Sequence, residues 1–269
     1  MDNRAVGVFD SGLGGLTAVR ELKRILPNEK IVFLGDTLRV PYGTRDPDTL
    51  RQFAEDDLNF LLSKNVKYIV IACGTVSSNV PDEVLEAVPV PVTGVIAPTV
   101  AAAVSSTDNG IIGVIATPAC ISSGAYQNGI AKADPSVKVI ARACPRLVPL
   151  IESFGVSELG SEIDAALEEY LAPIRESGAD TLILGCTHYP LIADRITRIM
   201  GRDVHLIDSG AQAARTAKEA LGASDSLAAR KSRPKHDFYV TSDPDRFISS
   251  SGYFLGEAIG KATITTLLQ

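Results

Sequence analysis

The chain has 269 residues, of which 45 % are hydrophobic and 22 % charged, and a formal net charge of −6. These values suit a soluble globular protein with room for one large or two small packed domains. The acidic balance argues against a nucleic-acid-binding surface as its main role, and the one basic cluster, Ala229–His236, reads as a solvated loop.

Along the chain, short β-branched runs alternate with helical patterns. "AVGVFD" is the first strand candidate, and with Asp2, Arg4 and Asp10 around it the run is too brief for the apolar part of a secretory signal. "GLTAVRELKRIL" follows as a helix, then "KIVFLGD" as a strand and "PDTLRQFAEDDLNFLLSKN" as a helix, with apolar residues recurring at three and four positions. "KYIVIAC" and "VPVTGVI" are the next strands. The apolar window around the second carries Pro89, Pro91 and Pro98 and reads as strand, turn and helix start rather than a membrane span. "NGIIGVIAT", "VKVIARAC", "DTLILGC" and "VHLIDS" complete the set. Continuous apolar strands separated by helices imply parallel sheets covered on both faces, an α/β fold, with ligands at the carboxyl ends of strands. "VGVFDSG" resembles "IGVIATP", and "YIVIACGT" resembles "TLILGCTH", in the same order. That echo suggests a duplicated half with Cys73 and Cys186 at equivalent positions across a cleft.

The residues just past these strands are the ones to weigh for chemistry. Four cysteines, Cys73, Cys120, Cys144 and Cys186, form no CxxC pair, which suits a reducing cytosol. His188, His205 and His236 are too dispersed to mark a zinc site. Cys120 and Cys144 read as small buried hydrophobes. Cys73 and Cys186 each close a strand and precede "GTVSSN" and "THYP", where a following helix N-terminus would favour a thiolate. Two such thiols suggest an acid and a base on opposite faces of one carbon. In "DSGLGGLT", Asp10 is either a helix cap or a site acid, and the glycine-rich turn could hold a carboxylate. The turn lacks the Lys-Ser/Thr of a P-loop. Gly12, Gly14 and then Thr17 miss the dinucleotide fingerprint, although Asp36 stands roughly where that fold places a ribose-binding acid. "DTLRVPYGTR" reads as an ordinary loop or as a ligand wall of backbone amides and the Tyr42 hydroxyl. "GCTHYP" packs thiol, hydroxyl and imidazole into Cys186, Thr187 and His188, whereas His205 reads as a strand or surface residue.

With "VFDSGLGGLTAVRELKRILPNEKIVFLGDT", "RVPYG", "YIVIAC", "ACPRLVPLIE", "LILGCTHYPL" and "LIDSG" in order, the chain resembles the glutamate racemases of the cofactor-independent aspartate/glutamate racemase superfamily. The resemblance implies two pseudosymmetric three-layer α/β domains with the active site between them. The first would span 1–97 and 208–269 and carry Asp10 and Cys73; the second would span 98–207 and carry Cys186 and His188. It implies a cytoplasmic homodimer with no nucleic-acid or membrane partner, racemising glutamate without pyridoxal phosphate or metal and supplying D-glutamate for peptidoglycan. Cys73 and Cys186 match the catalytic thiols; Asp10 would assist Cys73, and His188, supported by Glu152, would assist Cys186. Asp10, Ser11, Pro41, Tyr42, Gly43, Gly74, Thr75, Thr117, Thr187 and His188 match positions that contact substrate.

Four positions depart from the family pattern. Gly74 replaces an asparagine, Val76 an alanine, Cys120 a threonine and Leu38 an alanine, and all are expected around the cleft. Two rival readings follow: a racemase of another amino acid such as aspartate, or an amino-acid-binding regulatory relative with weakened catalysis. If Gly74 merely lost a side-chain partner for substrate, asparagine there would raise activity; if it fits this particular pocket, asparagine would lower it.

Overall fold

The computed structural model describes residues 1–154, 160–229 and 233–267. Its first stretch runs β1 (Val6–Asp10), α1 (Leu16–Ile25), β2 (Ile31–Gly35), α2 (Pro47–Ser63), β3 (Tyr68–Ile71), α3 (Gly74–Ser77), α4 (Asp82–Glu86) and β4 (Val92–Gly94). After α5 (Ile96–Ser106) come β5 (Ile111–Ala116), α6 (Pro118–Ser122), α7 (Ala125–Ala133), β6 (Lys138–Ala143), α8 (Leu147–Phe154) and α9 (Ser161–Glu176). β7 (Thr181–Leu184), a 3-10 turn (Tyr189–Ile192), α10 (Ala193–Met200) and β8 (His205–Asp208) follow. α11 (Ser209–Ala223), β9 (Asp237–Val240), α12 (Pro244–Leu255) and β10 (Thr263–Ile264) close the chain.

The strands form two sheets, one ordered β10-β9-β2-β1-β3-β4 and the other β6-β5-β7-β8, and every pairing is parallel. β2-β1-β3-β4 and β6-β5-β7-β8 repeat one topology, so the echoed sequence pairs fall on β1 with β5 and on β3 with β7. Helices cover both faces of both sheets, which is why the runs are continuously apolar. In β3, Tyr68 and Val70 enter the core against α1 and α11, while Ile69 and Ile71 enter the core against α2. In β7, Leu182 and Leu184 face α9 and α10, while Ile183 faces α5 and α7.

All eight expected strands are present. β9 and β10 were not expected: one has four residues with alternating burial and the other two exposed residues, so neither offers a continuous apolar run. Part of the basic cluster, residues 230–232, lies outside the described residues. Its last member is no solvated loop residue, since the half-buried His236 ring accepts the Ile31 N–H through Nδ1 at 3.2 Å. His205 opens β8 and is exposed, as expected. Among the described residues, no helix is long and apolar enough to cross a membrane.

Candidate active site

The carboxyl ends of β1, β3, β5 and β7 converge on one cavity of about 480 Å³. Ser11, Pro41, Tyr42, Gly43, Cys73, Gly74 and Thr75 line it from the six-stranded side; Thr117, Glu152, Cys186, Thr187 and His188 line it from the other. Cys73 and Cys186 each stand two residues beyond their strands, β3 and β7, and are 6 % and 7 % exposed. The expected thiol pair therefore shares one cavity. Among the described residues no lysine lines it, and no group of three or more His, Cys, Asp and Glu side chains could hold a metal ion.

The two sides touch around the rim. Thr17 Oγ1 donates to the Thr187 carbonyl at 2.9 Å, Ala119 N–H to the Gly43 carbonyl at 3.0 Å, and the Thr75 and Thr117 hydroxyls share a hydrogen bond at 2.8 Å. Two glycines permit this approach. A Cβ at Gly14 would lie 2.2 Å from Thr187 Oγ1 and 2.6 Å from the His188 ring, so Gly14 is packed against the opposite side, while Ser11 and Gly12 of the same turn line the cavity. A Cβ at Gly74 would lie 2.4 Å from the Gly185 carbonyl oxygen.

Several expected site residues take different positions. Asp10 does not line the cavity; it is 1 % exposed beneath the rim, with Oδ2 accepting the Gly12 N–H at 3.0 Å, and it does not cap α1. The Tyr42 hydroxyl donates to the buried Asp36 carboxylate, so the tyrosine faces the cavity without offering its hydroxyl. Of the four departures from the family pattern only Gly74 reaches the cavity. Val76 and Cys120 are wholly buried in the cores and Leu38 is 69 % exposed, so none of these three shapes the lining. Conversely, Cys144, Val148 and Arg246 line the cavity and were not expected there. Cys144 follows β6, so its strand-end position was a usable signal; Arg246 lies on α12, where no local pattern pointed to a site.

The two thiols have unlike surroundings. The Cys73 S–H donates to Ser11 Oγ at 3.7 Å. Burial, reinforced by the Asp10 charge, pushes this thiol up to about 12 and outweighs any help from the short helix α3. Burial likewise raises Asp10, with the His188 charge and the Gly12 and Gly15 amides opposing it. On the other side Cys186 Sγ lies 3.7 Å from His188 Nδ1, and His188 Nε2 lies 2.9 Å from Glu152 Oε1. Burial would lower His188, but hydrogen bonds to Cys186 and Glu152 more than offset it and raise the imidazole to about 10. Burial would raise Glu152; the His188 hydrogen bond and charge, with help from Arg246 at 3.6 Å, hold it below its ordinary value.

A family model described as Asp/Glu/hydantoin racemase matches residues 14–217. A glutamate racemase of Streptococcus gordonii is 43 % identical over 261 residues, 96 % of this chain and 97 % of that protein. One of Lactococcus lactis subsp. cremoris is 46 % identical over 248 residues, 92 % of this chain and 90 % of that protein. The crystal structure of glutamate racemase from Francisella tularensis subsp. tularensis in complex with D-glutamate matches with a TM-score of 0.91 at 40 % identity, covering 99 % of this chain and 98 % of that one.

The raised imidazole can be observed directly. His188 should stay protonated at neutral pH and titrate near 10 in an NMR titration, and Glu152→Gln should move that titration to lower pH. Because the folded value is raised, the stability that His188 contributes is complete below its unfolded value of about 6.5 and is lost as pH rises through the folded one. An identical titration in the Glu152→Gln protein would show that the carboxylate does not hold the ring charged.

Proposed function

The chain belongs to the Asp/Glu/hydantoin racemase family, and from that premise we propose that it interconverts L- and D-glutamate by proton transfer at Cα between Cys73 and Cys186. The observation that carries this reading is the pair of thiols entering one cavity from opposite sides, each with its own buried partner group. The reaction supplies D-glutamate for peptidoglycan and uses no pyridoxal phosphate or metal.

In this mechanism one sulfur, as thiolate, takes the α-proton while the other, as thiol, donates to the opposite face; the enantiomer bound decides which is which. The carboxylate gains enediolate character as the proton leaves, and preorganised donors must meet that charge. Pro41, Tyr42, Gly43, Gly74, Thr75, Thr117 and Thr187 are the residues placed to bind and orient glutamate, with Ser11 beside Cys73. Cys73 rests protonated and is ready to donate. On the other side the His188 imidazolium stabilises negative charge on Cys186, and Glu152 holds the ring in place. For Cys73 to act as base, the ammonium group of the substrate must first offset the charge of Asp10, which gives Asp10 a role without direct contact.

Two structural features support a division into domains at 1–97 with 208–269 and at 98–207: two separate sheets, and separate hydrophobic cores flanking each. We also assign the protein to the cytoplasm as a homodimer, in keeping with its reduced cysteines and its family.

Cys73→Ser and Cys186→Ser should each lower racemisation of both glutamate enantiomers by about 10²–10⁴-fold, because a hydroxyl is a far weaker acid than a thiol. Solvent deuterium exchange at Cα measures this, and near-normal turnover in both variants would end the two-thiol assignment. At position 74 the space, not a lost side-chain partner, decides the outcome. Gly74→Ala adds only the Cβ that meets the Gly185 carbonyl, and it should cut kcat/KM for glutamate about tenfold or more by displacing the strand ends; an increase would mean that the glycine is a weakening substitution. Sedimentation at working concentration should give a dimer, and a fully active monomer would remove that assignment.

A further inference from the structure

Behind the Pro41–Gly43 wall lies a buried polar cluster. Asp36 follows β2 and Asp57 lies within α2, and both side chains are fully buried. Arg39 joins them: its guanidinium pairs with Asp36, with Asp56 at 2.6 Å and with Asp57 at 3.1 Å, while it covers the Phe53 ring at 4.1 Å. The Tyr42 ring packs tilted against that of Phe53, 5.1 Å between centroids, and its hydroxyl donates to Asp36 and lies 3.5 Å from Asp57 Oδ2. The second oxygen of Asp36 accepts from Thr241 Oγ1 at 2.8 Å, and Thr241 Oγ1 accepts the Leu38 N–H at 2.8 Å. The loop from Leu38 to Tyr42 is thus anchored to one carboxylate at both ends.

Three carboxylates share one guanidinium here, an arrangement that burial would make costly if all were ionised. Burial and the neighbouring Asp36 charge hold the Asp57 carboxyl well above the usual carboxylate range, with the Arg39 charge opposing them. On its other side the same loop is pressed against the far half through the hydrogen bond from Ala119 to the Gly43 carbonyl.

We propose that Asp57 and Asp36, acting through Arg39 and Tyr42, are positioning residues that fix the Pro41–Gly43 wall at the distance glutamate requires. The proposal rests on the glutamate reading above and adds the residues that hold one side of that site. Its energetic basis is a set of charge-assisted hydrogen bonds in a low-dielectric interior, where a loosened anchor moves the wall rather than the thiols.

The test compares Tyr42→Phe, Asp57→Asn and Asp57→Ala in the full-length protein, with racemisation of both glutamate enantiomers and thermal unfolding as readouts. Tyr42→Phe removes only the hydroxyl that points into the cluster. It should raise KM about tenfold for both enantiomers while kcat stays within about twofold. Equal shifts in both directions keep the equilibrium constant at one. Asp57→Asn, which keeps the shape and hydrogen-bonding reach of the side chain toward Arg39 and Tyr42, should lose less than Asp57→Ala, and Asp57→Ala should match or exceed the Tyr42→Phe defect. An unchanged KM in a folded Tyr42→Phe protein, or equal loss in Asp57→Asn and Asp57→Ala, overturns the proposal; if Asp57→Ala fails to fold, Tyr42→Phe decides alone. Absence of turnover in the parent would instead end the glutamate reading, so the two failures are distinct.

Discussion

Around the rim of the cleft the two sides meet more closely than a side chain at either of two positions would allow. At Gly74 and Gly14 even a methyl group would collide with the opposite side, with the Gly185 carbonyl oxygen in one case and with Thr187 and His188 in the other. Neither glycine has a positive φ, so their value here is absence of bulk, not conformational freedom. That contact fixes the distance between the strand ends that bear the thiols. Rim hydrogen bonds such as Thr75–Thr117 then keep the two sides in register.

Within that frame the duplicated topology produces like positions with unlike electrostatics. Cys73 and Cys186 leave equivalent strands, yet one sits above a buried carboxylate and the other beside an imidazole braced by Glu152. A symmetric fold could place two identical thiols; the difference comes from what each half packs around its own. Asp10 and His188 also feel each other's charge, so the two sides are electrostatically linked across the cleft.

Much of this was legible in the sequence. β1, β2, β3, β5 and β7 are covered on both faces, and that makes each a continuous apolar run; the strand-end rule then singled out Cys73, Cys186 and the residues beside them. β9 and β10, short and half-exposed, left no such trace. The Tyr42 hydroxyl was misplaced because its partners are fixed by packing: it donates to Asp36, six residues before it, beside Asp57 of the following helix, and so turns away from the cavity. Leu38, Val76 and Cys120 lie close to site residues in sequence, but Val76 on α3 and Cys120 on α6 turn their side chains into the cores and Leu38 is exposed, so none of them faces the cavity. Arg246 reaches the cavity from α12, where only the tertiary fold could reveal it.

In the two-thiol mechanism proposed above, the unlike surroundings of the two sulfurs would also give the protein a memory. When a proton leaves substrate for one sulfur and another arrives from the opposite one, the product departs from an enzyme whose thiol and thiolate have changed places. That form is primed for the reverse passage, not for a repeat of the same one. Before a second molecule of the same hand can react, protons must be redistributed between sulfurs that lie on opposite sides of an enclosed cavity. Because a buried carboxylate, Asp10, opposes a negative Cys73 while His188 stands beside Cys186, the two exchanged forms would not be equivalent, and the resetting would differ between the two directions of turnover.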